Sequence, residues 1–444
     1  MTESTSAKLV NVMTPLFLFI AMLLMSYVFA ALNVNIKPIL AIVIALSPLW
    51  LPYILFHVTF DHWMWSVHEK YKYTQGRTTL RIKLPQEVLK SPEAMESVFS
   101  QTHNAANVDN YMQTYFEGRH PLVYSYELVS VGGEVRFYAN VPTKKGKNAL
   151  EAQLYAQYPG IEVTEELIDY TSEVKWNPKE WDMIAFHIGK RAEDYLPIKT
   201  YIDYGLDKQP KEELKFEPMS PLIEHLGMVK PHEHIWVQFL VIAHDKKNLK
   251  RGSLSDVPTW EKAAVAKINE IMKRDSTGVA LTSEETDIRP VLTTSERDKV
   301  AAIERNISKY AYEFAVRAIY ISRAGKFDPE MIGPLLKSFS QYDMLGRNSI
   351  GVRWRTDFDY NFISDLSGQR KINLKKQELE YYKKRFYLHG DNKNGADKMK
   401  VLSVEELATM FHIPGSSIIT PNLTRVESTR KEAPANLPIQ LPTN

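Results

Sequence analysis

The sequence contains no cysteine. Disulfides, thiolate–zinc sites and thiol nucleophiles are therefore excluded. No G-x-x-x-x-G-K-[ST] run occurs either. The Gly-Lys pairs at Gly146, Gly189 and Gly325 are not followed by Ser or Thr, so the chain carries no phosphate-cradling P-loop of its own. Neither H-E-x-x-H nor a G-x-S-x-G elbow is present. His225, His232 and His234 cluster loosely, and the last two would share a strand face, but no third zinc ligand accompanies them. Carboxylate pairs such as Glu165 with Glu166, or Glu284 with Glu285, sit in polar context and read as solvated surface. Charge of one sign is also scarce, with a net of +2, which argues neither for nor against nucleic acid. No catalytic residue, cofactor or metal site is expected.

What the chain does have is length and a greasy beginning. Its 444 residues suffice for two or three domains. Leu9 to Ile36 carries no charge, Lys37 interrupts, and Pro38 to Phe60 is again uncharged. Each stretch exceeds the roughly 20 residues that cross a bilayer core as a helix. A secretory signal would have a shorter apolar core and no second span. The reading is a transmembrane hairpin over residues 1–60, kinked at Pro48 and Pro52, with a juxtamembrane segment over 61–77. Trp63, Trp65, Tyr71 and Tyr73 fit an interfacial belt. Lys70, Lys72, Arg77, Arg81 and Lys83 outnumber Lys37, which places both termini and the remaining body on the cytoplasmic side of the inner membrane.

Residues 78–175 read as one α+β domain. "TTLRIKLP" from Thr78 alternates like a strand, and "SPEAMESVFSQTHN" from Ser91 opens with a serine cap, a proline and acidic residues like a helix. "PLVYSYELVSVGGEVRFYANVP" is two alternating runs about Gly132-Gly133, a hairpin pattern. A helix from Gly146 to Gly160 and a strand from Ile161 complete βαββαβ, the split-βαβ, ferredoxin-like order. RNA-binding domains share that order, but Arg136, Phe137 and Tyr138 lack their glycine-aromatic spacing.

Residues 176–400 read as a second α+β sandwich with helical insertions, a distorted copy of the first. "WDMIAFHIGKR", "EHIWVQFLVIAHD" and "YAYEFAVRAIYISR" are strand-like, and Val257–Asp275, Thr294–Lys309 and a run from Asp328 are helical. The polar stretch between the two long helices is a linker. The run from Glu233 is apolar on both faces, so both faces should be covered. In "GRNSIGVRWRTDFDYNF", Arg347, Arg353 and Arg355 interleave with Trp354, Phe358 and Tyr360, a pattern that can grip phosphates and stack on bases. An edge strand whose arginines cover apolar surface is the plainer reading. The segment from Lys375 is a basic amphipathic helix.

Residues 401–444 form a short helix, an extended arm and a proline-punctuated tail. "LSVEELATMFHIPG", "ITPNLTRVES" and "APANLP", together with the Tyr124–Val163 block ending in Tyr158-Pro159-Gly160, resemble the amino-terminal, non-motor region of membrane-associated type IV secretion-like ATPases. These are akin to conjugative coupling proteins and the HerA/FtsK group. In those relatives the tail segment leads into a RecA-like motor, whereas here no motor follows. The resemblance implies a non-enzymatic, membrane-anchored adaptor of a secretion-like or DNA-translocating machine. Its expected partners are the lipid bilayer, a P-loop motor ATPase supplied in trans, further copies of the chain and DNA. Leu407, Met410, Phe411 and Ile413 would dock the motor. The alternative is a membrane-tethered nucleic-acid binder using Arg347, Arg353, Trp354 and Arg355.

Overall fold

The structure is a computed structural model. It describes residues 41, 44–86, 88, 90–104, 110–208, 216–244, 260–272, 292–357, 368–386, 399–415, 423 and 425–426. In chain order the elements begin with α1 (Ser47–Gln75), β1 (Arg77–Lys83), α2 (Glu93–Thr102), α3 (Tyr111–Tyr115), β2 (Val123–Val131), β3 (Glu134–Pro142), α4 (Asn148–Gln157) and β4 (Glu162–Glu166). There follow β5 (Trp181–Lys190), α5 (Ser220–Gly227), β6 (Glu233–Ala243), α6 (Trp260–Ile271), α7 (Thr294–Ile307) and β7 (Ala311–Arg323). The chain continues through α8 (Ile332–Lys337), β8 (Ile350–Arg355), α9 (Gln369–Lys383), β9 (Lys400–Ser403) and α10 (Val404–Met410).

These elements divide between two compact units, Met1–Thr74 with Val108–Arg119, and Gln75–Asn107 with His120–Asn444. In the first unit α1 packs on the segment that holds α3. The Trp63 indole N–H donates to the Tyr115 carbonyl at 3.1 Å, and the Trp63 and Phe116 rings lie 6.1 Å apart. Gly118, at φ +66°, closes the approach: a Cβ there would lie 2.7 Å from Val67.

The transmembrane hairpin and its inner-membrane placement do not hold. Among the described residues no helix is long and apolar enough to cross a membrane. The reason lies in where α1 begins and ends. It starts at Ser47 and runs on through His62, Glu69, Lys70 and Lys72. Its uncharged part, Ser47 to Phe60, is about 14 residues, or about 21 Å of helix, against a hydrocarbon core of about 30 Å. Pro52 lies within the helix, and Trp63 faces Phe116 instead of an interface. The first expected span, Leu9 to Ile36, lies outside the described residues, as do the linker between α6 and α7 and the tail beyond Val426.

The second unit is built on one nine-stranded sheet, all of whose ladders are antiparallel, in the order β4-β1-β3-β2-β6-β7-β5-β8, with β9 also paired to β7. The first four strands make a split-βαβ half. Gly132 and Gly133, at φ +58° and +92°, form its hairpin turn. Strands β5 to β8 repeat the same connectivity, with α6 and α7 inserted where the first half has its two glycines. The halves meet edge to edge through β2 and β6, paired from Val123–Ile242 to Val131–His234. The break expected between residues 175 and 176 is therefore not a gap between sheets. Every residue of β6 is buried because the strand has neighbours on both sides and covered faces above and below.

On one face, Leu80, Phe137, Phe186 and Phe239 pack with α2, α4, α5 and α10 into the main core. On the other, Tyr138, Tyr170, Trp236 and Leu379 form a second apolar layer under α9. The expected serine cap on α2 is not made. Pro92 occupies the cap position, and the Ser91 carbonyl receives the Ala94 N–H.

Candidate functional site

The C-terminal third of the sheet unit contacts both faces of the sheet. On the main-core side, β9 extends the sheet beside β7, and Ser403 caps α10 with its Oγ and with Glu406, which reaches back to the Ser403 N–H at 2.9 Å. The four residues expected to dock a motor all point inward: Leu407, Met410, Phe411 and Ile413 are fully or almost fully buried. The Phe411 ring lies 5.2 Å from Tyr126, 6.0 Å from Phe137 and 5.7 Å from Phe239. It thus bridges β2 and β3 of one half and β6 of the other. The spacing that suggested a docking face is the spacing of a core face, so this correction follows from burial.

Charge surrounds that helix. Lys190 and Glu406 are both 0 % exposed and pair at 2.7 Å, and Lys190 also donates to the carbonyls of Asp194 and Val401 at 3.0 Å. Glu406 accepts the Ile198 N–H at 2.9 Å. Burial raises the Glu406 carboxyl above its ordinary range despite Lys190. Its neighbour Glu405 receives Arg305 at 3.2 Å and Lys309 at 2.9 Å, and Lys309 also meets Glu96 at 2.7 Å. Burial opposes the charged form of Lys309, yet Glu96 and Glu405 outweigh it and raise its pKa. Further along, the His412 ring faces Glu217 at 2.6 Å and the Ala408 carbonyl at 2.8 Å. Burial pushes Glu217 up, but His412 outweighs it and holds the carboxyl below its usual range.

The opposite face carries a second centre. Glu127 lies where β2 meets β6, opposite Gln238. It accepts hydrogen bonds from Ser125 at 2.6 Å, Tyr170 at 2.7 Å, Gln238 at 3.0 Å, and two from Arg385 at 3.0 and 3.1 Å. Burial alone would push Glu127 up, but Arg385 and the hydroxyls more than compensate and lower it. Arg385 also meets Asp169, and it adopts φ +50°, a left-handed conformation unusual for a residue with a Cβ. The helix before it, α9, buries Glu378, Leu379 and Tyr382, so the basic amphipathic segment is not a solvated face throughout. Glu378 meets His187 at 2.9 Å and Arg317 at 3.3 Å.

The arginine-aromatic residues do not converge. Arg347 pairs with Asp203 at 2.8 Å, and Arg353 donates to the Lys190 carbonyl at 2.7 Å. The Trp354 ring lies tilted 4.7 Å from that of His187, while Arg355 is exposed and lies opposite Phe186 in the register. Phe358 and Tyr360 lie outside the described residues. The histidines separate too. His225 meets the Met331 carbonyl at 3.0 Å, and burial followed by Arg323 lowers His234 to about 4. Among the described residues no group of side chains is placed to hold a metal ion.

Residues 71–425 match the family model described as Domain of unknown function (DUF8128). The chain belongs to the DUF8128 family. The matched region runs from the end of α1 to Arg425, the residue whose guanidinium donates to the carbonyls of Pro85 and Gly415. It therefore takes in the whole described sheet, α9, α10 and the last described contacts of the arm. No curated protein matches the chain. Nothing in the family's description supports the secretion-specific and membrane terms expected from the resemblance.

Sequence reasoning missed Glu127, Arg385, Lys190 and Glu406. A signal for such residues existed. Glu127, Gln238 and Arg317 each sit in the middle of a largely apolar strand, and a polar side chain buried there requires a partner.

Proposed function

We propose that the DUF8128 chain is a binding module that works through its sheet edges, with no catalysis of its own. One observation carries this reading. The buried charges of the two centres are paired within the chain and hold α9 and α10 on the sheet, while β4 and β8 end the sheet with no described strand outside them. Unpaired edges offer main-chain donors and acceptors to an added strand. The turn before β8 places Leu345 99 % exposed, and Leu167 and Ile168 directly after β4 are 93 % and 77 % exposed. Apolar side chains that stand free beside an open edge suit a partner polypeptide.

The partners expected from the resemblance enter here as proposals of unequal support. A P-loop ATPase or a second copy of the chain suits an edge. DNA has the least support, since Arg347 and Arg353 are engaged within the chain. A photo-crosslinking residue placed at Thr164 in β4 or Val352 in β8 should capture a partner polypeptide in cells, and one placed at Met228, just after α5 and 71 % exposed, should not. Capture at Met228 alone, or at none of the three, would count against the reading.

A further inference from the structure

We propose that the two open edges recognise each other, β4 of one copy pairing with β8 of the next. The inference rests on the binding-module reading and names its partner. The β4 strand is EVTEE, with Glu162, Glu165 and Glu166 and no base. The β8 strand is IGVRWR, with no acid; its Arg353 is engaged with the Lys190 carbonyl, and Arg355 is the exposed base. Two β4 edges laid together would oppose carboxylates, and two β8 edges would oppose guanidiniums. Like charges directly across a ladder are unfavourable and opposite charges favourable. Of the three edge pairings that identical chains allow, only β4 with β8 avoids repulsion.

Each β4 carboxylate already meets a cation of its own chain, Lys83 with Glu162 at 2.7 Å, Arg81 with Glu166 at 3.7 Å, and Lys147 with Glu165. Arg81 and Lys83 come from β1, the inner neighbour of β4, and Lys147 from the segment before α4. The carboxylates keep 42 %, 33 % and 44 % of their side-chain surface in solvent.

The faces agree with the pairing. Glu165 lies opposite Leu80, and Arg355 lies opposite Phe186. Leu80 and Phe186 belong to the same core layer, so Glu165 and Arg355 project from the same face of the sheet. An antiparallel arrangement that sets Glu165 against Arg355 sets Glu166 against Trp354 and carries Leu167 and Ile168 along β8 opposite Arg353 and Val352. Such a contact joins two different surfaces, so it propagates head to tail into a ring or filament.

Sedimentation velocity of the full chain over a concentration series tests this. The average mass should rise with concentration, and Glu165→Lys or Arg355→Glu alone should weaken association about tenfold. The double variant, with both charges exchanged, should recover association to within about threefold of wild type. It should not co-assemble with wild type, because each mixed edge then opposes like charges. Circular dichroism checks that each variant is folded. A wild type that stays monomeric at about 100 μM, or a folded double variant that fails to recover, overturns the proposal. Captures at Thr164 and Val352 by other polypeptides, from a chain that stays monomeric, would remove self-pairing and leave the binding-module reading in place. The absence of any capture at either edge would remove both.

Discussion

Glu127 and Glu406 are both fully buried carboxylates, each facing a cation, on opposite sides of one sheet. They respond to burial in opposite ways. Glu127 is held below the ordinary carboxylate range, and Glu406 is pushed above it. The difference lies in the donors. Glu127 has a bidentate guanidinium, two hydroxyls and an amide. Glu406 has one ammonium, shared with two carbonyls, and backbone N–H groups. Desolvation penalises both anions, and only the richer donor set reverses it. The Glu127 centre is thus a committed ion pair, whereas the Glu406 centre can take up a proton. Both serve one purpose, which is to fasten the C-terminal third onto a sheet assembled from two halves.

The comparison breaks most easily at Arg385. Arg385→Met leaves Glu127 buried without its cation and should cost about 3–5 kcal/mol in urea unfolding. A loss under about 1 kcal/mol would show that the pair is dispensable. Lys190→Met should cost less, about 1–3 kcal/mol, because Glu406 can accept a proton once its ammonium is gone. If Lys190→Met proves the more damaging of the two, the contrast between the centres is reversed.

Acidity separates the centres next. Glu127 has a lowered folded pKa, so its contribution is present above the ordinary 4.5 and drains away as pH falls below it. Glu406 has a raised pKa, so its contribution is present below 4.5 and is lost as pH rises through the folded value. Stability profiles against pH should therefore flatten on the acid side in Glu127→Gln. In Glu406→Gln, the decline from about pH 4.5 upward should disappear. Profiles that change in the same direction would refute the assignment. The smallest effect is expected for Glu406→Gln, within about 1 kcal/mol of wild type in acid, because the amide matches the carboxyl in shape and keeps an oxygen to accept from Lys190 and the Ile198 N–H.

Much of the first half was legible beforehand, because its elements are short, strongly patterned and joined by local signals. Gly132-Gly133 marks the hairpin, and alternation in Tyr124–Val131 and Val135–Val141 marks its strands. The second half was harder. Its hairpin is split by α6 and α7, so the pairing of β6 with β7 spans a long insertion that no local pattern announces. Uncharged length misled at the amino terminus, since α1 joins an apolar start to a polar continuation. Helical spacing misled at Leu407, Met410 and Phe411, because spacing identifies an apolar face without saying what covers it. The ion-pair centres depend on residues far apart in sequence, such as Glu127 with Arg385, and only the strand-interrupting charge hinted at them.

Native-state hydrogen exchange on the full chain tests most directly whether the C-terminal third is an internal fastening of one sheet. Amides of β2 and β3, of β6 and β7, and of Leu402–Phe411 should share one opening free energy and rise and fall together with denaturant. If Leu402–Phe411 instead exchanges like a loose tail, or β1 to β4 open about 2 kcal/mol below β5 to β8, then the halves are independent and the fastening does not exist.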